Sequence, residues 1–413
     1  MADRHEFKNE RTLELGTIEG DAEIKNCETV VPQQGDEIVV SGTLYLTGET
    51  VFEGSLRCGS IVCKSRDTIT ITQDLDVTSS VSIKKGSLTV GRNASAKEFE
   101  VGGTLSVEEN LTCVSARAGG SIKVSGDAKA QRLTGGGSVK VEGAAEVDRV
   151  SGGGSVVVYG EIRANELDAS GSGKCSTGSI EKVSIGGSFK ATDAIVIGEL
   201  DVGGSGRVGD GSRVGSVEIG GAFKAEGDLE FESIDVGGSV KIQGNGKGGT
   251  IDVGGTVKVE GDLELSGPIT VGGTVAVGGT LRCQDKIKVG GSVRVDETIE
   301  TYRIIVGGRI EAKRIKATDG LRLGRRGEIR GFVEAPEILI REKARTGSLY
   351  GDDIRIEERA RVGNLYSRTI YIERGAIVEG EVLYTESLEA EEKVSFRKDP
   401  QRVDALPSPE DLR

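Results

Sequence analysis

Aliphatic residues in this chain come in pairs at positions i and i+2, and over long stretches the pairs return every six residues. One run reads Ile251/Val253, Val257/Val259, Leu263/Leu265, Ile269/Val271, Val275/Val277, Leu281/Cys283, Ile287/Val289 and Val293/Val295. Side chains alternate across a strand. Both members of a pair therefore point the same way, and each pair predicts a short strand with one apolar face. Gly-Gly-Thr, Glu-Gly-Asp, Ser-Gly-Pro and Gln-Asp-Lys separate the pairs. These are corner residues, and glycine permits positive φ at a corner. An amphipathic helix does not fit, because its apolar positions would recur about every 3.6 residues.

A longer period encloses the short one. Gly-Gly recurs with its first residue at 102, 119, 136, 153, 186, 203, 220, 237, 254, 272, 290 and 307, at steps of 17 or 18 except between 153 and 186. Ser170-Gly171-Ser172 fills that wider interval as a degenerate copy. Three facets of six residues make one such repeat. The chain is therefore read as all-β: a single-stranded β-helix, or solenoid, with triangular coils of about 17–18 residues. Stacked coils let every strand hydrogen-bond above and below, while inward aliphatics form continuous ladders. The pattern runs over 13–396, enough for roughly 22 coils. Segments 1–12 and 397–413 lack it and are expected to be flexible tails.

Composition narrows the picture. Glycine supplies 64 residues, aromatics are 4% and Trp is absent, as a narrow interior lined by Val and Ile would require. A net charge of −13 disfavours nucleic acid as a partner. No run of about 18 apolar residues occurs, so no membrane-spanning helix is expected. The stretch Met1 to Arg11 is polar and lacks the apolar core of a secretory signal. The cytoplasm is the expected compartment, and the six cysteines are expected as thiols.

The Gly-Gly coils span 100–310. Beyond them, three coils read Ile-Arg-Glu-Lys-Ala-Arg-Thr-Gly (340–347), Ile-Glu-Glu-Arg-Ala-Arg-Val-Gly (356–363) and Ile-Glu-Arg-Gly-Ala-Ile-Val-Glu-Gly (372–380), each followed by Leu-Tyr. This region, 320–395, resembles the bactofilin family of polymer-forming cytoskeletal proteins. The resemblance implies a right-handed β-helix that stacks end to end into filaments without nucleotide or any other cofactor. It also implies a homopolymer, with membrane-associated or cell-envelope proteins as further partners. Many members carry an apolar membrane-binding segment at the N-terminus. Here only Phe7 is large and apolar before Leu13, so direct membrane insertion is not expected.

Physics supplies a reason to polymerise. The end coils of a solenoid expose unpaired backbone groups and the tips of apolar ladders, which must be capped or paired with another chain. The expected polymer interface is Leu13, Leu15, Ile18 and Ile24 at one end, and Leu383, Leu388, Val394 and Phe396 at the other. A second candidate surface is the basic cluster Arg309, Lys313, Arg314, Lys316, Arg322, Arg325, Arg326 and Arg330, read either as a docking patch or as a solvated strand face.

Other features read as structural. His5 is the only His and falls in the expected tail, which removes the general base of a β-helical acyltransferase. Cys58, Cys63, Cys113 and Cys283 occupy the inward slot of their strands, and no Cys-x-x-Cys suggests a metal site. Asp201, Asp235 and Asp252 precede Val-Gly-Gly and should point outward; no catalytic constellation or metal is read from them. Tyr350, Tyr366 and Tyr384 are expected as an outward ladder. The leading function is a filament-forming scaffold, not an enzyme. The alternative is a non-polymerising β-helical adaptor that binds partner proteins along its faces.

Overall fold

The structure, a computed structural model, describes residues 4–412. Among these residues there is no helix, and the strands build a parallel β-solenoid of about 23 turns. The chain divides into two compact units, Met1–Ser205 and Gly206–Arg413.

In the first unit the coils begin earlier than the apolar pattern suggested. Arg4–Lys8 is a strand lying parallel on Asp21–Lys25, with His5 over Ala22 and Phe7 over Ile24. Thr12–Leu15 lies on Thr29–Pro32 in the same way. The segment expected as a tail thus contains a paired strand. Its aliphatic signature is missing because His5 takes one inward slot. Polar contacts help to hold it: Lys25 donates to Glu6 at 2.9 Å, and the Arg4 guanidinium stacks 3.9 Å above the Tyr45 ring. Further along, Ala94–Val101, Leu111–Ala118, Ala128–Gly135 and Ala145–Gly152 stack in register. Phe99 meets Ala116 in the next coil, so a large inward side chain is matched by a small one.

In the second unit Ser212–Ile219, Leu229–Val236 and Gly246–Val253 stack around one corner. Ala222–Ala225, Ser239–Ile242 and Thr256–Val259 stack on the next face. All eight aliphatic pairs from Ile251/Val253 to Val293/Val295 are buried. Phe231 also points inward, and Gly248 lies one coil away, where any side chain would run into its ring. Each buried aliphatic contributes about 1.5–3 kcal/mol, so the ladders carry the fold.

The glycine pairs serve a purpose other than the expected one. None of the Gly-Gly corners from 237 to 308 appears among the positive-φ residues. The constraint is close approach: a Cβ on Gly237 would lie 2.6 Å from the Gly220 carbonyl oxygen, and one on Gly254 would lie 2.5 Å from that of Gly237. Each corner residue must therefore lack a Cβ of its own, because the carbonyl of the corner one coil earlier occupies that space. A second corner is stitched by side chains. Asp228, Asn245, Asp262 and Thr280 donate their backbone N–H to the Oδ1 of Asp210, Asp228, Asn245 and Asp262, at 2.6, 2.7, 2.9 and 2.7 Å. These side chains take one backbone N–H per coil where the chain bends, between backbone bonds such as Gly244 N–H to the Gly227 carbonyl.

The C-terminal coils turn differently. Arg326, Lys343, Arg359, Gly375 and Lys393 have φ of 58, 58, 56, 72 and 64°, the left-handed region. The following Ala344, Ala360 and Ala376 are fully buried beneath these turns. This is the structural content of the repeated Ile-x-x-x-Ala string.

Candidate assembly surfaces

The two ends of the chain present unlike surfaces. At the N-terminal end Leu13, Leu15 and Ile18 are buried, and Ile24 is fully covered because Phe7 lies on it. Of the first coil's inward row, Phe7 is half-buried and His5 exposed. Sequence reasoning missed both; the signal was an i, i+2 pair with one polar member. Lys8 and Lys25 both hydrogen-bond Glu6 and hold its carboxyl down at about 2.

At the C-terminal end the expected residues are far more open. Leu388 lies on Ile370, and Phe396 lies on Val378. Leu383, Leu388, Val394 and Phe396 are all half-buried, in the last coil. The strand 387–390 pairs with 369–372, and among the described residues no strand covers its other edge. Gln401–Arg402 pairs with Leu383–Tyr384, so the expected C-terminal tail also contributes a short strand, exposed and without aliphatic residues to announce it.

The last Leu-Tyr pair is out of step with its predecessors. Leu349 and Leu365 share the inward row with Val382, not with Leu383. Leu383 consequently continues the row of Tyr350 and Tyr366, and Tyr384 falls on the row of the buried Ser367. The expected ladder of three tyrosines is therefore a pair, Tyr350 and Tyr366, with ring centroids 6.5 Å apart. Tyr366 is buried and donates to Glu381 at 3.2 Å, so it is not an open outward face.

The basic cluster is spread over several faces of its coils. Arg309 and Arg330 lie on one face, Arg314 and Lys316 on another and Arg322 on the third, while Lys313, Arg325 and Arg326 stand at corners. Six of the eight are ion-paired, several of them to the next coil. Arg309 and Arg330 share Glu328 at 2.9 and 2.8 Å. Lys313 meets Glu297 at 2.6 Å, Arg314 and Lys316 meet Glu334 at 2.5 and 3.3 Å, and Arg325 meets Glu342 at 2.5 Å. Among the described residues Arg322 and Arg326 make no ion pair. Arg322 stands exposed between the half-buried Ile305 and Leu339, on the rim of a shallow concavity of about 420 Å³.

Cys58, Cys63 and Cys283 are buried as expected, whereas Cys113 is only half-buried at a corner. Burial pushes the Cys58, Cys113 and Cys175 thiols up to about 12, which keeps them protonated and poorly nucleophilic. Asp201, Asp235 and Asp252 are exposed, as their place between inward aliphatics requires.

Comparison with known proteins adds one finding. Residues 251–351 match the family model described as bactofilin, polymer-forming cytoskeletal. No curated protein and no solved structure matches the chain. The matched stretch joins the last Gly-Gly coils to the first of the left-handed-turn coils, so both kinds of corner lie within it. Over residues 251–351 these parallel, aliphatic-cored coils are thus similar to a bactofilin domain, a family described as polymer-forming cytoskeletal.

Proposed function

We propose that this chain is a cytoplasmic structural scaffold that polymerises by stacking its terminal coils end to end, without nucleotide. The observation that carries the reading is the open C-terminal coil. Its strand 387–390 has an unpaired edge, and Leu388, Val394 and Phe396 stand half-exposed beside it. Such an edge is a ready template for pairing with a further strand. Phe7 and His5 at the other end offer the facing surface. Catalysis plays no part in this reading, and Arg322 and Arg326 remain as cations for membrane-associated or envelope partners.

The test is sedimentation and negative-stain microscopy of the nucleotide-free protein, with Phe396→Arg beside it. The parent pellets as filaments, and the variant stays as short particles because a charge at the ladder tip cannot be buried. Filaments of unchanged length in the variant remove the C-terminal end from the interface. A parent that never pellets, at any concentration, supports the adaptor reading instead.

A further inference from the structure

Between residues 216 and 258 the coils of the second unit sort their charges on two of their three faces, while the third mixes signs, with Glu230 over Lys247. On one face the outward positions of 216–219, 233–236 and 250–253 are Ser216 and Glu218, Ser233 and Asp235, Thr250 and Asp252. On the next face, across the Gly-Gly corner, those of 222–225, 239–242 and 256–259 are Ala222 and Lys224, Ser239 and Lys241, Thr256 and Lys258. Each face thus repeats one small residue and one charge per coil, negative on the first and positive on the second.

The acidic row is not neutralised where it stands, and the lysine row is neutralised only in part. Glu218, Asp235 and Asp252 are exposed and make no ion pair among the described residues. Their backbones are in register, so the carboxylates repeat at about 4.8 Å and repel one another. In the lysine row, Lys224 meets Glu226 at 2.8 Å and Lys241 meets Glu260 at 2.9 Å, both glutamates standing at the edge of the face, while Lys258 makes none.

We infer that these two faces are a lateral interface between copies of this chain, the lysine face of one seated on the Glu218–Asp235–Asp252 face of the next. Charge complementarity selects the occupant. The same hydrogen-bond ladder spaces both rows, so pairs formed at one coil are formed at its neighbours without adjustment. Ser, Thr and Ala beside the charges leave no bulk to hold the faces apart. The two faces differ, so the contact is heterologous: each added copy still offers an unused face, and the product grows past a two-fold dimer, to a ring if the rotation closes and to an open array if it does not. This extends the polymer reading sideways. The two fail separately, since filament length reports the ends and filament width reports the faces.

The experiment compares parent, Asp235→Lys/Asp252→Lys, and the fourfold variant that adds Lys241→Asp/Lys258→Asp. Lateral width is measured by negative stain and turbidity in about 20 mM and about 0.3 M salt, because exposed charge pairs are screened within about 10 Å at 0.1 M. The parent should bundle in low salt and separate in high salt. The twofold variant should lose roughly tenfold or more of its bundling at unchanged filament length, and the fourfold variant, with complementarity restored in reverse, should regain it. Bundling of the twofold variant at the parent level, or no recovery in the fourfold variant, overturns the inference. So does a parent that never widens but co-sediments with phosphatidylglycerol vesicles through Lys241 and Lys258, since the lysine row would then face lipid.

Discussion

Two stretches of the second unit, 216–258 and 303–378, share one coil plan and handle charge and corners in opposite ways. In the first, two faces carry one sign each and the carboxylates of the acidic face are left without partners. In the second, Glu328, Glu334 and Glu342 each take one or two basic partners, and all three reach across coils. In the first, the Gly-Gly corner is tight because a carbonyl lies where a Cβ would be. In the second, the corner is a left-handed turn held by Arg326, Lys343 and Arg359. A stacked fold can thus use its surface charge internally, as a cross-coil lattice, or leave it for another molecule.

Charge reversal should break this comparison most strongly. Glu334 is held below its ordinary value of 4.5: burial alone would raise it, but hydrogen bonds from Arg314 and Lys316 outweigh that. Glu334→Lys would leave three cations together on a partly covered face, and a loss of about 3 kcal/mol is expected in thermal or denaturant unfolding. Asp235→Lys makes the same chemical change in the other stretch and should stay within about 0.5 kcal/mol of the parent. Equal losses would show that the two stretches do not differ.

Corner substitutions come next and should act in opposite senses. Gly254→Ala sets a methyl against the Gly237 carbonyl and should cost about 1–3 kcal/mol. Arg359→Gly relieves a left-handed residue at φ 56° and should gain up to about 1 kcal/mol. Melting followed by far-ultraviolet circular dichroism reads both.

Acid should produce the smallest effect. Glu328 and Glu342 are held below 4.5, chiefly by hydrogen bonds from Arg330 and Arg325. A lowered carboxyl adds stability that is complete above its unfolded value and is lost as pH falls through its folded value. Protection against hydrogen exchange in 328–342, taken relative to the intrinsic rate at each pH, should therefore fall below about pH 4.5, while that of 216–258, with no paired carboxylates on its acidic face, changes less. These pairs are exposed, so salt should blunt the response.

How legible all this was from sequence depends on how far apart the partners lie. The ladders were visible because each aliphatic pair declares its own inward face; Val257 and Val259 need no knowledge of their neighbours. The Gly-Gly period was visible too, but its reason was not. Gly254 is required by a carbonyl 17 residues earlier, and nothing local to the corner says so. The basic cluster misled for the same cause: weighed against nearby acids it looked unbalanced, yet Glu297, Glu334 and Glu342 meet it from adjacent coils. Leu383 was misplaced because the step from Leu365 to its partner Val382 is 17 residues rather than 18. The N-terminal strand escaped notice because His5 interrupts the apolar pair.

The carbonyl beneath each Gly-Gly corner also makes the coils interchangeable. Remove or duplicate one whole repeat between Gly237 and Gly255, and every remaining corner still meets an equivalent one. Shift the chain by a single residue, and a side chain strikes the oxygen below. Gene duplication in this stretch would therefore act as a ruler graduated in steps of about 4.8 Å, setting the height of this stack in fixed increments.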